Sequence, residues 1–438
     1  MVGAGEPARL LAFAKHARLP VPGACAHGET VLQVTFAGAR AAEPVCFLVF
    51  DISSGGGVAR TVVNLANQLV ESRPVRVVSL YRRRRKPRFP LHPDVEVRVL
   101  RALPNRRRDR KGLDRFQSRL RPAPSEANMS LLTDVLLRRA IREVRTGFLV
   151  STRPSLHLAL ATYARPTVRT IGWDHLNYPG RAKNRRQMRV IRAAVPRLDA
   201  YVVLTDADAE DYRRELPGID TEIVVIRNAV SWPVAAEPPA LDAPVVVSAG
   251  RLSGRKGQRR LIKAFAPVAA AHPDWQLHIY GTGSKRRALR AHIRELGLQS
   301  QVTLRGFTDD LPDALRNASV YAMASRWEGF PLVLIEAMSV GLPLIAFDCP
   351  RGPGEIIRHS ENGLLIENGR VGAYARALER LVEDAELRRR LGRQALLDAD
   401  QYTIQSIAAD WERLFARLDM PRGVHPLLTS VRWPLPQH

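Results

Sequence analysis

Two glutamates, Glu328 and Glu336, interrupt an otherwise apolar run from Ser325 to Phe347, SRWEGFPLVLIEAMSVGLPLIAF. Pro331 is suited to the first position of a helix and Gly341 to its end, so the run predicts a helix from Pro331 to Val340. Glu328 then falls on the turn before the helix, and Glu336 about one and a half turns inside it, roughly 7 to 8 Å along the axis. Unpaired amides at a helix start attract phosphate. With a phosphate held there, Glu336 comes near a ribose whose vicinal hydroxyls can donate to it, and Glu328 faces what lies beyond the phosphates, such as a sugar. The alternative is structural, with Glu328 favouring the helix macrodipole and Glu336 facing solvent. Against it, PLVLIEAMSVG is apolar on nearly every side, and a buried carboxylate without a partner is costly.

Carboxylates beside a diphosphate repel it, so such a site needs cations opposite. SAGRLSGRKGQ supplies Arg251 and Lys256 on a glycine-containing loop after a buried strand, and two cations there suit a diphosphate. Solvated loop charges are the other reading. Earlier, DISSGGGVAR sets Gly55, Gly56 and Gly57 between a strand and a helix, where free amides could approach a phosphate or where the chain simply turns. Arg60 stands where the G-x-G-x-x-G fingerprint requires its last glycine, which disfavours hydride chemistry. TDADAED contains a D-x-D, but Thr205 followed by Asp208 reads as a helix N-cap with acids in the first turn rather than as a metal site.

The elements that carry these residues form a repeating pattern. PVCFLVFD is a buried-strand run, ISSGGG a turn, VARTVVNLANQLVES a helix and PVRVVSLY a second strand. Their right-handed crossover implies a parallel sheet covered by helices. The alternation continues through GFLVST, TVRTIGWDH and AYVVLT, stops at the proline-rich RNAVSWPVAAEPPALDAP, and begins again at PVVVSAG. The predicted fold class is α/β, with two doubly wound parallel-sheet domains facing a central cleft at the carboxyl ends of their strands. The expected division is an extension over 1–44, a first domain over 45–230, a linker over 231–243, a second domain over 244–400, a C-terminal helix over 401–420 and a tail over 421–438. TIQSIAADWERLFARL has apolar residues at helical spacing, so it must bury one face.

With 438 residues the chain exceeds one ordinary core, which also favours two domains. The net charge of +24 is mostly arginine in an alanine-rich background, which fits either composition or a polyanionic partner. The charge is concentrated from Arg82 to Arg121, with few acids to offset it. Such a block would attract phosphates or an anionic leaflet by about 1 kcal/mol per basic residue near the surface. LLTDVLLRRAIREV could lie beside it as an amphipathic helix. Charge without aromatic stacking repeats or a recognisable binding module does not point to a specific nucleic acid. Cys25, Cys46 and Cys349 have neither metal-ligand spacing nor a disulfide framework, as suits a reducing cytosol. No stretch approaches the roughly 20 apolar residues of a membrane span, and the first 40 residues lack a signal-peptide layout. The expected location is cytoplasmic, at most peripheral on the inner face of the plasma membrane.

These residues together carry a family resemblance. The second half resembles a retaining, nucleotide-sugar-dependent glycosyltransferase of the GT-B fold, family 4. The likeness runs over SAGRLSGRKGQ, IYGTGSKRRAL, VTLRGFTDDL, ASRWEGFPLVLIEAMSVGLPLIAFDCPRGPGEII and NGLLIENG, with Glu328 and Glu336 as an E-x7-E element. In the first half, SGGGVARTVVNLANQL resembles the family's glycine loop and first helix, and WDHLNY the segment with its acceptor-side histidine. The resemblance implies two Rossmann-like domains, with the helix from about Gln401 to Leu418 crossing back onto the first. It implies that Arg251 and Lys256 neutralise the diphosphate, Glu336 holds the ribose and Glu328 contacts the donor sugar. The amides of Phe330, Pro331, Leu332 and Val333 would complete the phosphate site. Backbone at Gly306 and Phe307 would meet the base, with Gly281 and Gly283 allowing close approach nearby. Gly55, Gly56, Gly57 and His175 would line the facing wall, with His175 and Glu328 at the reacting centre. Asp174 stands where a glutamate is expected, and a histidine bonded only to backbone is the alternative for His175.

The activity so implied is metal-independent, cofactor-free hexosyl transfer from a UDP- or GDP-sugar to a hydroxyl of a lipid-linked or cell-envelope glycan. A nucleotide-sugar 2-epimerase, which shares the fold, is the second reading, and a non-enzymatic polyanion-binding protein the third.

Overall fold

The computed structural model describes residues 42–84, 87–102, 112–120 and 129–419. Most of the expected extension and tail, Cys25, and parts of the basic stretch (85–86, 103–111 and 121) lie outside the described residues.

Among the described residues the strands form two all-parallel sheets. The first contains β1 Val45–Asp51, β2 Val75–Arg82, β3 Glu96–Ala102, β4 Phe148–Ser151, β5 Arg169–Trp173, β6 Ala200–Val203 and β7 Glu222–Val225, in the order β3-β2-β1-β4-β5-β6-β7. The second contains β8 Val245–Ala249, β9 Gln276–Tyr280, β10 Val302–Gly306, β11 Val320–Met323, β12 Leu344–Asp348 and β13 Gly363–Glu367, in the order β10-β9-β8-β11-β12-β13. β1 is buried from Val45 to Phe50 because helices cover both faces of its sheet. The sequence expectation of two doubly wound α/β domains therefore holds.

Strand order reverses between β1 and β4 in one sheet and between β8 and β11 in the other. At such a point the flanking crossovers diverge to opposite faces and leave a crevice outside the strand ends. The glycine loop follows β1, the Arg251/Lys256 loop follows β8, and the Glu328 segment follows β11. Topology thus gathers the two loops of the second sheet, and the packing of the two domains brings the glycine loop to face them.

The helix Ile404–Asp419 returns to the first sheet as expected. Ile407, Trp411, Leu414 and Phe415 form its buried stripe. The Trp411 ring meets Trp173 edge-on at 4.8 Å, and Phe415 lies 4.5 Å from Phe148. Arg73 and Arg417 of the first domain's surroundings and of the helix, respectively, form ion pairs with Glu412 and Glu222. One apolar cluster runs from Phe47 and Trp173 through Trp411 to Leu334 and Ile335, joining both sheets. The linker is pinned to the same region, since Trp232 Nε1 donates to Ser339 Oγ at 2.9 Å. Gly341 adopts φ +77° under it, where a Cβ would come 2.6 Å from Pro238.

The basic stretch departs from expectation. Part of it is the edge strand β3, and acids from within and beyond the stretch offset several of its arginines. Arg98 pairs with Glu143, Arg101 with Asp114 and Arg88 with Asp309. Helix Leu131–Glu143, started by the Ser130 capping box, buries Leu137, Ala140 and Ile141 against the domain. No helix among the described residues is long and apolar enough to cross a membrane.

Because Trp411 is fully buried where the returning helix meets the first sheet, Trp411→Ala should destabilise the protein by about 3 to 5 kcal/mol. Denaturant unfolding measures this, and an unchanged midpoint would show that the helix docking contributes little.

Candidate active site

Glu328 sits on the loop between β11 and the following helix and is 4% exposed. Its Oε1 accepts from Lys256 Nζ at 2.7 Å. Lys256 is placed by the short turn Gly254–Lys256, and the next residue, Gly257, has φ +67°. A Cβ on Gly257 would lie 1.8 Å from the Ala324 carbonyl oxygen, so glycine is required for the two loops to touch. Backbone bonds fix the Glu328 segment further: its N–H donates to Pro350 O at 2.8 Å, and Arg351 N–H donates to Glu328 O at 3.2 Å. From the first domain, Asn177 Nδ2 also donates to the Glu328 carbonyl.

The helix carrying Glu336 spans Leu332–Met338, shorter than the expected Pro331–Val340. Pro331, with ψ 87°, is the N-cap rather than the first helical residue, and Gly341 closes the far end by donating to Met338 O at 2.8 Å. Glu336 is 1% exposed, and burial pushes its carboxyl upward, opposed by Arg60 and Lys256. Arg60 belongs to helix Gly57–Leu69 of the first domain and brings Nη1 to 2.8 Å from Glu336 Oε1. The approach is an ion pair without an aligned hydrogen bond, for Oε1 has no hydrogen-bond partner among the described residues. The solvent-facing alternative for Glu336 is therefore excluded.

Across the cleft, Gly57 faces Leu332, whose Cδ1 would be 3.8 Å from a Cβ there, and Gly56 is the N-cap of the first helix. Gly55 lies under Arg88, with 3.0 Å between a built Cβ and Arg88 Cδ. The His175 carbonyl oxygen would be 3.2 Å from a Cβ on Gly329, so His175 reaches the E-x7-E segment through its backbone. Its ring lies 4.4 Å from Trp173, and Nε2 is buried without a hydrogen-bond partner. Burial pushes this imidazole down to about 3, so it is neutral at ordinary pH.

Asp174 turns away from this wall. It accepts from Arg181 Nε at 3.0 Å, Tyr201 OH at 2.9 Å and Tyr212 OH at 3.1 Å. Although burial opposes ionisation, the charge and hydrogen bond of Arg181 hold its carboxyl well below the usual range. Asp174 is thus the buried counter-ion that anchors the His175 segment.

The other expected positions are less uniform. Arg251 is exposed on its loop. Gly281 and Gly283 press against backbone, at 1.9 Å from Gly250 O and 2.2 Å from Leu252 O for built Cβ atoms, so they seat the Arg251 loop instead of opening space for a ligand. Phe307 is 56% exposed, and its ring lies under the Arg88 guanidinium at 4.2 Å. Phe330 is buried against Tyr402 at 5.8 Å. Of the expected phosphate amides, Leu332 N–H already donates to Phe330 O at 3.0 Å and Pro331 has none, which reduces that set to Phe330 and Val333. Thr205 caps its helix as predicted, with Oγ1 accepting from Asp208 N at 3.2 Å. Asp206 and Asp208 belong to no cluster of three metal-ligating groups among the described residues.

Sequence reasoning missed the contacts that cross between domains. Arg60 served only to exclude a fingerprint, and neither Arg88 nor Asn177 was singled out. The sequence signal for Arg60 was its position one turn into the helix after the glycine loop. Further contacts join the domains at the other end of the site: Arg351 Nε lies 3.3 Å from Asp208 Oδ1, and Glu355 accepts from Asp206 N at 2.9 Å and Ala207 N at 3.2 Å.

Residues 55–231 match the family described as Glycosyltransferase Family 4, and residues 235–397 that described as Glycosyl transferases group 1. An exopolysaccharide phosphotransferase of Streptomyces coelicolor is 32% identical over 387 residues, covering 85% of this chain and 41% of that protein. The lipopolysaccharide 1,6-galactosyltransferase of Salmonella typhimurium is 35% identical over 167 residues, covering 37% of this chain and 46% of that protein. The chain thus spans less than half the length of each of these two relatives. Among solved structures, S. aureus TarM, in complex with fondaparinux, alpha-GlcNAc-glycerol and UDP, superposes with a TM-score of 0.68 at 16% identity, covering 85% of this chain and 99% of that one.

His157, fully buried with Nδ1 2.7 Å from Ser151 Oγ, is likewise pushed by burial down to about 3. An unfolded histidine takes up its proton near 6.5, so between these values the unfolded chain binds more protons than the folded one. Stability should be full above about pH 6.5 and decline as pH falls towards 3. Urea midpoints measured from pH 8 to pH 5 should show this decline, with a shallower slope in His157→Gln; equal slopes would contradict it.

Proposed function

We propose, since this chain belongs to the GT-B fold glycosyltransferases of family 4, that it transfers a hexosyl group from a UDP- or GDP-sugar to a hydroxyl of a lipid-linked or cell-envelope glycan. The observation that carries this reading is the pair of buried carboxylates at the second sheet's switch point, Glu328 held by Lys256 and Glu336 met by Arg60 from the helix after the glycine loop of the opposite domain. In this reading Glu336 takes the ribose hydroxyls, while Lys256 and Arg251 offset the diphosphate charge. Glu328 orients the donor sugar, and its pairing keeps Lys256 aimed at the sugar-phosphate junction. Phe307 and the backbone beside it receive the base.

Transfer proceeds with retention by front-face attack. The acceptor oxygen bonds to the anomeric carbon as the bond from that carbon to the phosphate oxygen breaks. The bonding electrons leave with the nucleoside diphosphate, whose oxygen takes the acceptor proton. His175, held neutral, lines the wall where acceptor and sugar meet and presents its backbone carbonyl there. No metal has a part in this scheme. UDP in the TarM complex supports a uridine donor, and the names of the exopolysaccharide and lipopolysaccharide relatives support a glycan acceptor of the envelope.

Exposed Leu113 and Phe116 adjoin the start of the helix bearing Val135, Arg138, Arg139 and Arg142, with Leu131 N–H bonded to Phe116 O at 3.1 Å. This mixed apolar and basic face supports peripheral docking on the anionic cytoplasmic leaflet, which would bring a lipid-linked acceptor to the cleft.

Lys256→Ala and Glu336→Ala should each lower transfer by about two to three orders of magnitude, the scale for losing one preorganised polar group, with far-UV circular dichroism unchanged. Near-normal turnover in either variant would remove the assignment, and strong inhibition by EDTA would overturn the metal-free scheme. In sedimentation with vesicles, anionic lipid should retain the protein and neutral lipid should not; equal binding to both would end the docking proposal.

A further inference from the structure

We propose that Arg60 stands in for the donor's ribose before donor binds, so that its ion pair with Glu336 closes the nucleoside site from the opposite domain and must be displaced by the donor. The proposal rests on the reading of Glu336 as the ribose ligand. Glu336 is buried and requires a partner. Lys256, the other cation acting on it, is engaged with Glu328 at 2.7 Å, which leaves Arg60 as its counter-ion at 2.8 Å.

The geometry favours exchange over permanent closure. Glu336 Oε1 has the charge of Arg60 close by but no directed hydrogen bond among the described residues. A ribose diol offers two directed donors to the same carboxylate, so what the buried group loses in ion pairing it recovers in hydrogen bonding. The Arg60 side chain is 24% exposed, so its guanidinium can regain water on release. The rings of Trp232, at 5.3 Å, and Phe89, at 5.9 Å, flank it and provide a resting surface.

A second arginine of the first domain covers the other half of the nucleoside position. Arg88 lies on the Phe307 ring at 4.2 Å and its Nη2 is 2.7 Å from Asp309 Oδ1. Gly55 has no side chain to obstruct it. The ribose carboxylate and the base platform are therefore both occupied by side chains reaching across the cleft. This also accounts for an arginine one turn into the helix after the glycine loop, at the position a dinucleotide-binding fold reserves for glycine. A site partly closed in this way binds its ligand with an affinity reduced by the fraction of molecules that are open. Re-formation of the Arg60 pair would then help expel the nucleoside diphosphate after transfer.

Calorimetric titration of the full-length protein with UDP and with GDP tests this in wild type, Arg60→Ala, Arg60→Gln, Arg88→Ala and Glu336→Gln. The nucleotide that binds wild type should bind both Arg60 variants about 3- to 10-fold more tightly, and Arg88→Ala more tightly too. The gain should vanish when Arg60→Ala is combined with Glu336→Gln. Arg60→Gln keeps most of the side-chain stem, and circular dichroism reports folding for each variant. Unchanged or weaker binding in both Arg60 variants, with binding still lost in Glu336→Gln, would overturn the stand-in and leave the ribose assignment intact. Binding of neither nucleotide, or normal binding in Glu336→Gln, would overturn the ribose assignment and the stand-in with it.

Discussion

A carboxylate removed from water must meet positive charge or directed hydrogen bonds, and this cleft buries two of them within eight residues of each other in the chain. Glu328 finds its cation in the neighbouring loop of its own sheet, through Lys256. Glu336 finds it in the other domain, through Arg60. The charge balance of the site therefore depends on how two separately built sheets are held against each other.

That positioning is mostly apolar. The C-terminal helix carries Trp411 and Phe415 back onto Trp173 and Phe148, and the same cluster reaches the Glu336 helix through Leu334 and Ile335. Polar ties work at shorter range. Asp174 and Arg181 hold the His175 segment from behind, and the Asn177 bond to the Glu328 carbonyl fastens it to the opposite loop. At the far end, Arg351 and Glu355 engage the first turn and a half of helix Asp206–Glu215. Buried charges are expensive in isolation, so each of these ties tolerates little displacement.

Much of the fold was legible because the central strands are buried on both faces and read as continuous apolar runs, as in VCFLVFD and VVVSA. Edge strands were less so. β3, with the sequence EVRVLRA, alternates charge with apolar residues and was absorbed into a basic stretch. The acids that offset its arginines, Asp114 within the same stretch and Glu143 beyond it, come near only on folding. Within the site, the E-x7-E element, Lys256 and the glycine loop were legible from residue type and spacing. The resemblance implied that Gly281 and Gly283 allow close approach near the base, and what approaches them is loop backbone.

The sequence by itself determined two parallel α/β domains, a C-terminal helix with an apolar face to bury, and a pair of carboxylates on and before one helix. Those properties follow from hydrophobic period, glycine placement and helix rise, all of which are local. Only the tertiary structure decided that Glu336 pairs with Arg60, that Arg88 covers Phe307, and that Asp174 serves Arg181 instead of the cleft. The first two join residues distant in the chain, and the third, though Asp174 and Arg181 are near in sequence, is completed by Tyr201 and Tyr212 from further along; a side chain's partner is set by which strand ends the topology brings together.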